Sequence, residues 1–140
     1  MRTIKSIIIH CSATYAGQDI GTAEIDKWHK QQGWDEIGYH FVIRRSGEIE
    51  KGRTLEKIGA HCRGHNAESI GICLVGGIDK DGKPENNFTK NQFSALISLT
   101  AKLKRQFPAI QHIHGHNEFS GKACPCFDVK EFFGKKNSDK

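Results

Sequence analysis

The 140-residue chain has no long hydrophobic run, so no transmembrane helix is expected. Its start, MRTIKSIIIHC, has neither an extended apolar core nor a small-residue cleavage site, and reads as a first strand rather than a secretory leader. Cysteine is scarce and odd in number, five in all, which argues against a disulfide framework and for a reducing compartment. There is no Cys-x-x-Cys pair and no His-Glu-x-x-His, so no short motif by itself announces a metal. Lysine and arginine form no run interleaved with aromatics. The net charge of +5 therefore suits an anionic wall polymer or plain solvation better than nucleic acid, which is not expected as a partner. Repeats and linkers are missing too. With 36% hydrophobic and 26% charged residues, the simplest organisation is one domain large enough to bury a core.

What is present sorts into short elements. IKSIIIHC (4–11) is a continuous apolar run of strand length, as for a strand buried on both faces. Thr22 is placed to cap a helix through AEIDKWHKQQ, stopped by Gly33. YHFVIRR (39–45) alternates like a strand, Ser46-Gly47 turns, and EIEKGR returns as a hairpin partner. SIGICLV (69–75) is another internal strand, with Gly76 and Gly77 permitting a tight exit. Thr89 and Gln92 form a capping box for the longest helix, which ends at Pro108. Residues 110–114 make a last strand, and Asp128 caps a short helix through VKEFF. The order β-α-β-β-β-α-β-α predicts a single α/β domain, a mixed central sheet flanked by helices, over 1–134, with a flexible tail at 135–140.

Chemistry-bearing residues gather in two places. His10 closes the first strand, and HGHNEFSGKACPCFD (114–128) follows the last one. Strand ends opening onto loops favour ligands, because the sheet holds them rigidly while the loops leave room. If the first and last strands are neighbours, His10, His116 and Cys124 converge as two imidazoles and one thiolate, a three-ligand zinc site with an open position. The competing reading is that several of the eight histidines are incidental, hydrogen-bonded residues. Cys124-Pro125-Cys126 is too tight for a relaxed disulfide, so one sulfur faces the site and the other the core.

The stretches IIIHCSAT (7–14), WHKQQGW (28–34), IGYHFVIRRSGEIEKGR (37–53), GAHCRGHNAESIGICLVGGIDKDGK (59–83), NFT (87–89) and HNEFSGKACPCFD (116–128) together resemble, in order and over nearly the whole chain, one family. It is that of the zinc-dependent N-acetylmuramoyl-L-alanine amidases of the bacteriophage T7 lysozyme type, related to the peptidoglycan recognition proteins. The resemblance implies one zinc ion held by His10, His116 and Cys124, with His114 as a fallback for His116. It places a catalytic tyrosine at Tyr39 and a catalytic lysine at Lys122, which would stabilise the oxyanion of amide hydrolysis. His61 is expected to line the cleft and touch the substrate peptide or the transition state, and Glu118 is either an orienter of a ligand histidine or a surface glutamate. Asn66 and Ser69 are expected to fix a turn through local bonds, and Trp34 to be buried at a helix end rather than stacked on a sugar.

The implied activity is cleavage of the amide between N-acetylmuramic acid and L-alanine in peptidoglycan, by a phage or prophage lysis enzyme. Such an enzyme would be a monomer without membrane insertion, made in the cytoplasm and let through to the wall by a holin-type partner. The alternatives are a peptidoglycan-binding protein without catalysis, and a regulator that binds a phage-type RNA polymerase. Tyr39, Lys122 and Cys124, all present, favour the enzyme.

Overall fold

A computed structural model describes residues 2–138, with side chains through residue 134. Strand β1 (Ser6–Cys11) is the second strand from one edge of a five-stranded sheet. Ile7, Ile8 and Ile9 in it are fully buried, because their branched side chains enter both faces of the pleat. Each such isoleucine contributes about 1.5–3 kcal/mol relative to leaving it exposed. The next elements are β2 (Thr14–Tyr15), α1 (Thr22–Gln31), β3 (Phe41–Ile43) and β4 (Ile49–Lys51). After them come β5 (Ser69–Leu74), β6 (Gly77–Ile78), α2 (Lys90–Gln106), β7 (His112–Gly115) and α3 (Val129–Ser138). The main sheet has the order β4-β3-β5-β1-β7. It is mixed, as expected: β1 pairs in parallel with β5 and β7, β3 in parallel with β5, and β4 antiparallel with β3.

The period-two alternation of the strands divides the chemistry. Ile7 and Ile9 of β1, Ile70, Ile72 and Leu74 of β5, and Ile113 of β7 share a core with Leu96, Leu99 and Leu103 of α2 and Val129 of α3. On the other face, Val42 and Cys73 pack with Ile25 of α1. His10 stands opposite Cys73 and so belongs to this second face, away from the larger core.

Several boundaries differ from the sequence reading. The helix cap expected at Thr22 is Gly21, and Thr22 is the first helical residue. Its backbone N–H donates to Glu50 Oε1 of β4 at 2.8 Å, so a carboxylate from a hairpin 28 residues away shares the capping with Glu24, whose Oε1 accepts the Gly21 N–H at 2.8 Å. A side chain at position 21 would collide with the Glu50 oxygen, which is why glycine stands there. Strand β3 is shorter than 39–45, although His40 N–H still donates to Gly71 O at 2.9 Å. The pair β2–β6 was not expected; it forms because Gly76 and Gly77, at φ 135° and 108°, swing the chain leaving β5 alongside the chain leaving β1.

The capping box of α2 is as read. Thr89 Oγ1 accepts from Gln92 N–H at 3.1 Å, and Gln92 Oε1 accepts from Thr89 N–H at 3.0 Å. Gln92 also donates through Nε2 to Ile43 O and Val75 O, tying the helix to the ends of β3 and β5. The tail expected at 135–140 starts inside α3, which runs to Ser138; Asp139 and Lys140 lie outside the described residues. Among the described residues no helix is long and apolar enough to cross a membrane.

Candidate functional site

Adjacency of the first and last strands decides the site. Ile9 of β1 lies opposite Gly115 of β7, so the next residue on each, His10 and His116, emerges at the same sheet end. Their ring centroids are 4.6 Å apart. His116 opens a short 3-10 turn (His116–Glu118), and the loop beyond it returns Cys124 to β1, where Cys124 Sγ accepts the Cys11 N–H at 3.0 Å. One nitrogen from each histidine and the Cys124 sulfur all lie within 4.8 Å of one another, a group able to hold a metal ion.

The electrostatics fit that use. Burial, with His61, His116 and Lys122 close by, holds His10 well below its ordinary pKa. His116 is lowered by burial and by Lys122. Both rings are therefore neutral near pH 7, the form in which imidazole ligates. The Cys11 thiol, hydrogen-bonded to Cys124 and buried, is pushed far up and stays protonated. Two imidazole nitrogens and one sulfur suit a borderline divalent ion with a position left open.

Around this group lies a cleft of about 610 Å³, lined by His10, His116, Tyr39, His61, Lys122 and Trp34 among others. Tyr39 precedes β3, with its ring 5.1 Å from that of His10. Burial, and the neighbouring cysteines after it, hold the phenol far above its ordinary pKa, so it is a hydrogen-bond donor. Lys122 is exposed at the cleft, two residues before Cys124.

His61 lines the cleft as expected, and it is largely buried, with both ring nitrogens partnered inside the protein: Nδ1 lies 2.8 Å from His10 Nε2, and Nε2 lies 3.2 Å from Ser69 Oγ. Other expectations are corrected. Glu118 does not touch His116; it accepts from Gly115 N–H at 2.7 Å and pairs with His114 Nδ1 at 2.9 Å. His114, the fallback ligand, is thereby engaged outside the donor group. Trp34 is 38% exposed, because its ring packs at a tilt against His29 at the cleft wall instead of entering the core. Cys126 turns away from the cleft, its thiol donating to Gly77 O at 3.2 Å and pushed up to about 11 by burial. Asn66 does fix its turn, Oδ1 accepting from the backbone N–H groups of His61 and Cys62.

His29, His40 and Arg2 also support the site, and the sequence reading assigned them nothing there. His29 Nδ1 accepts from Gly38 N–H at 2.9 Å beside Tyr39. His40 Nδ1 accepts from Gly71 N–H at 3.1 Å, and Arg2 donates to Ser69 O at 2.8 Å and Leu55 O at 3.0 Å. The available signal was Gly71, a glycine inside a β-branched strand, which marks a close approach. A Cβ there would come within 2.6 Å of the His61 ring.

The family model of N-acetylmuramoyl-L-alanine amidases matches residues 1–127. The endolysin of Klebsiella phage KP32 is 50% identical over 131 residues, covering 94% of this chain and 86% of its own. The endolysin of Escherichia phage T7 is 46% identical over 130 residues, covering 93% and 85%. Among solved structures, the N-acetylmuramoyl-L-alanine amidase LysC from Clostridium intestinale superposes with a TM-score of 0.82 at 31% identity, over 97% of this chain and 87% of that one. With a model match over nearly its whole length and a shared fold, the chain belongs to the N-acetylmuramoyl-L-alanine amidase family.

Proposed function

We propose that this chain is a phage or prophage lysis enzyme that hydrolyses the amide between N-acetylmuramic acid and L-alanine in peptidoglycan, using one zinc ion held by His10, His116 and Cys124. The observation that carries the reading is the convergence of three ligating atoms within 4.8 Å at the wall of an open cleft. Family membership and the likeness to two phage endolysins support the same chemistry.

Bound there, zinc supplies Lewis acidity, polarising the amide carbonyl and making water a better nucleophile near neutral pH. The protein's own groups do the rest. In the reaction the amide C–N bond breaks, the water oxygen stays on the lactyl carbon, and the amine leaves with a proton. As water adds, negative charge develops on the carbonyl oxygen. The Tyr39 phenol, held protonated, donates a hydrogen bond toward that oxygen, and the Lys122 ammonium offsets its charge. A thiolate ligand leaves the ion less electron-poor than a third imidazole would, so Tyr39 and Lys122 supply more of the stabilisation.

The cleft and the net positive surface provide affinity for the anionic wall. The enzyme is made in the cytoplasm, acts as a monomer, and reaches the wall through a membrane-permeabilising partner. Cys124 separates this reading from a wall-binding protein without catalysis, because the cysteine takes part in the donor group.

The test is zinc content together with release of muramyl-linked peptide from purified peptidoglycan, before and after chelation. We expect one zinc per chain and cleavage that chelation abolishes and zinc restores. Cys124→Ser should lose both, and a Cys124→Ser protein that keeps its zinc and full cleavage rejects the ligand assignment.

A further inference from the structure

We infer that His61 is a positioning residue: with Ser69 it locks His10 into the tautomer whose Nδ1 is bare and free to ligate. The inference rests on the metal reading above and adds the device that prepares one ligand before any ion arrives. The chain of contacts runs from His10 Nε2 to His61 Nδ1 (2.8 Å), from His61 Nε2 to Ser69 Oγ (3.2 Å), and from Ser69 Oγ to the backbone carbonyl of His65 (2.7 Å).

Its direction follows from the last link. A carbonyl oxygen only accepts, so the Ser69 hydroxyl proton points at His65 O. The Ser69 oxygen is then an acceptor, and His61 Nε2 must carry the proton it receives. A neutral imidazole protonated on Nε2 has a bare Nδ1, which accepts from His10 Nε2–H. His10 is left with its lone pair on Nδ1. Reversing the chain would take the Ser69 proton off a 2.7 Å bond and leave the His65 carbonyl without it. It would also put a proton on His10 Nδ1, leaving that ring unable to ligate through it.

The fold holds every member in place. His10 and Ser69 are 1% and 0% exposed, so water does not compete for their bonds. The His61 ring lies on Gly71, which has no side chain in the way. The backbone N–H groups of His61 and Cys62 both donate to Asn66 Oδ1, at 3.0 and 2.9 Å. Arg2 Nη1 donates to the Ser69 carbonyl at 2.8 Å.

The decisive experiment reads the tautomer in metal-free wild-type protein. Multiple-bond proton–nitrogen correlation on histidine-labelled protein at neutral pH should show His10 and His61 both protonated on Nε2. A His10 protonated on Nδ1 overturns the inference. Ser69→Ala, which removes the anchor, should add an Nδ1-protonated population to His10; an unchanged spectrum counts against the relay.

Zinc affinity, measured by competition with a chromophoric chelator, gives a second readout. His61→Phe keeps a ring over Gly71 but has no acceptor, and should bind zinc about 10–100-fold more weakly. His61→Asn restores an acceptor oxygen at the place of Nδ1 and should recover most of that loss. Wild-type affinity in His61→Phe overturns the inference. A wild-type protein that binds no zinc removes the metal reading instead, and the tautomer spectrum still decides this one.

Discussion

Lys122 and Tyr39 enter one cleft from different segments, Lys122 exposed and Tyr39 half-buried, which sets what each can do. Lys122 is exposed on a flexible four-carbon stem, so in the proposed reaction its charge would act on the carbonyl oxygen without holding up the fold. Lys122→Ala should therefore keep zinc content and melting temperature while lowering turnover on the order of 10²–10³-fold. An unchanged rate on purified peptidoglycan would strip it of that role. Tyr39→Phe removes only a donor, and its loss should appear in turnover rather than in substrate affinity. Motif matching picked out these two, and His10, His116 and Cys124, by residue type and local context. It did not reveal the bond from His61 to His10, because a histidine's type is visible in the sequence and its hydrogen-bond partner, here 51 residues away, is not.

At the scale of elements, local and distant capping contrast within one molecule. The box on α2 is written in four consecutive residues, Thr89 to Gln92, and was legible because all its bonds close within one turn. Helix α1 has a local bond from the Gly21 N–H to Glu24 but takes the rest of its cap from Glu50, which also meets Arg44 at 3.5 Å. Nothing in the sequence near Thr22 announces this. Glu50→Ala should lower stability by about 0.5–2 kcal/mol in a urea titration, the usual range for losing a cap. Thr22→Ala should cost less, since the threonine hydroxyl only donates to Glu50, at 3.3 Å. Equal losses would refute the assignment of the cap. The shortened β3 and the unforeseen β2–β6 pair have a similar origin: both depend on what lies alongside, and strand limits respond to partners more than to propensity.

Over the whole molecule, the donor group joins residues from β1 and from the loop after β7, so a bound ion would clamp the two ends of the chain's fold. At a free zinc concentration 100 times the dissociation constant, that linkage adds about 2.7 kcal/mol to stability. Metal-free protein should accordingly melt lower than loaded protein. The metal-free form should also be sensitive to mild acid. Burial, with Arg2 and Arg53 adding to it, lowers His40 from its ordinary 6.5 to about 4, while a bond to the Lys57 carbonyl and the nearby Glu36 work the other way. The unfolded chain thus binds this proton first. Stability is full above about pH 6.5 and is lost as pH falls toward 4, at about 1.4 kcal/mol per pH unit for this one group. His40→Asn, whose side-chain oxygen can accept from Gly71 N–H at any of these pH values, should flatten that slope in urea titrations across the window. A slope equal to that of the wild type would show that His40 does not set it.

Taken alone, the sequence was enough for the mixed α/β class, the capped helix α2 and the buried first strand, all of which depend on side-chain periodicity or on capping closed within a few residues. The donor residues came only with the family resemblance spread over nearly the whole chain, since no short motif announces a metal. Only the tertiary structure decided that β7 lies beside β1, which brings His10 and His116 to one sheet end. It also decided that Glu118 serves Gly115 and His114, that Trp34 stays in the open, and that His61 turns inward to His10. The physical reason is range: periodicity and capping are local interactions written in consecutive residues. Strand adjacency and hydrogen-bond partnership depend on which distant segments the buried core forces together.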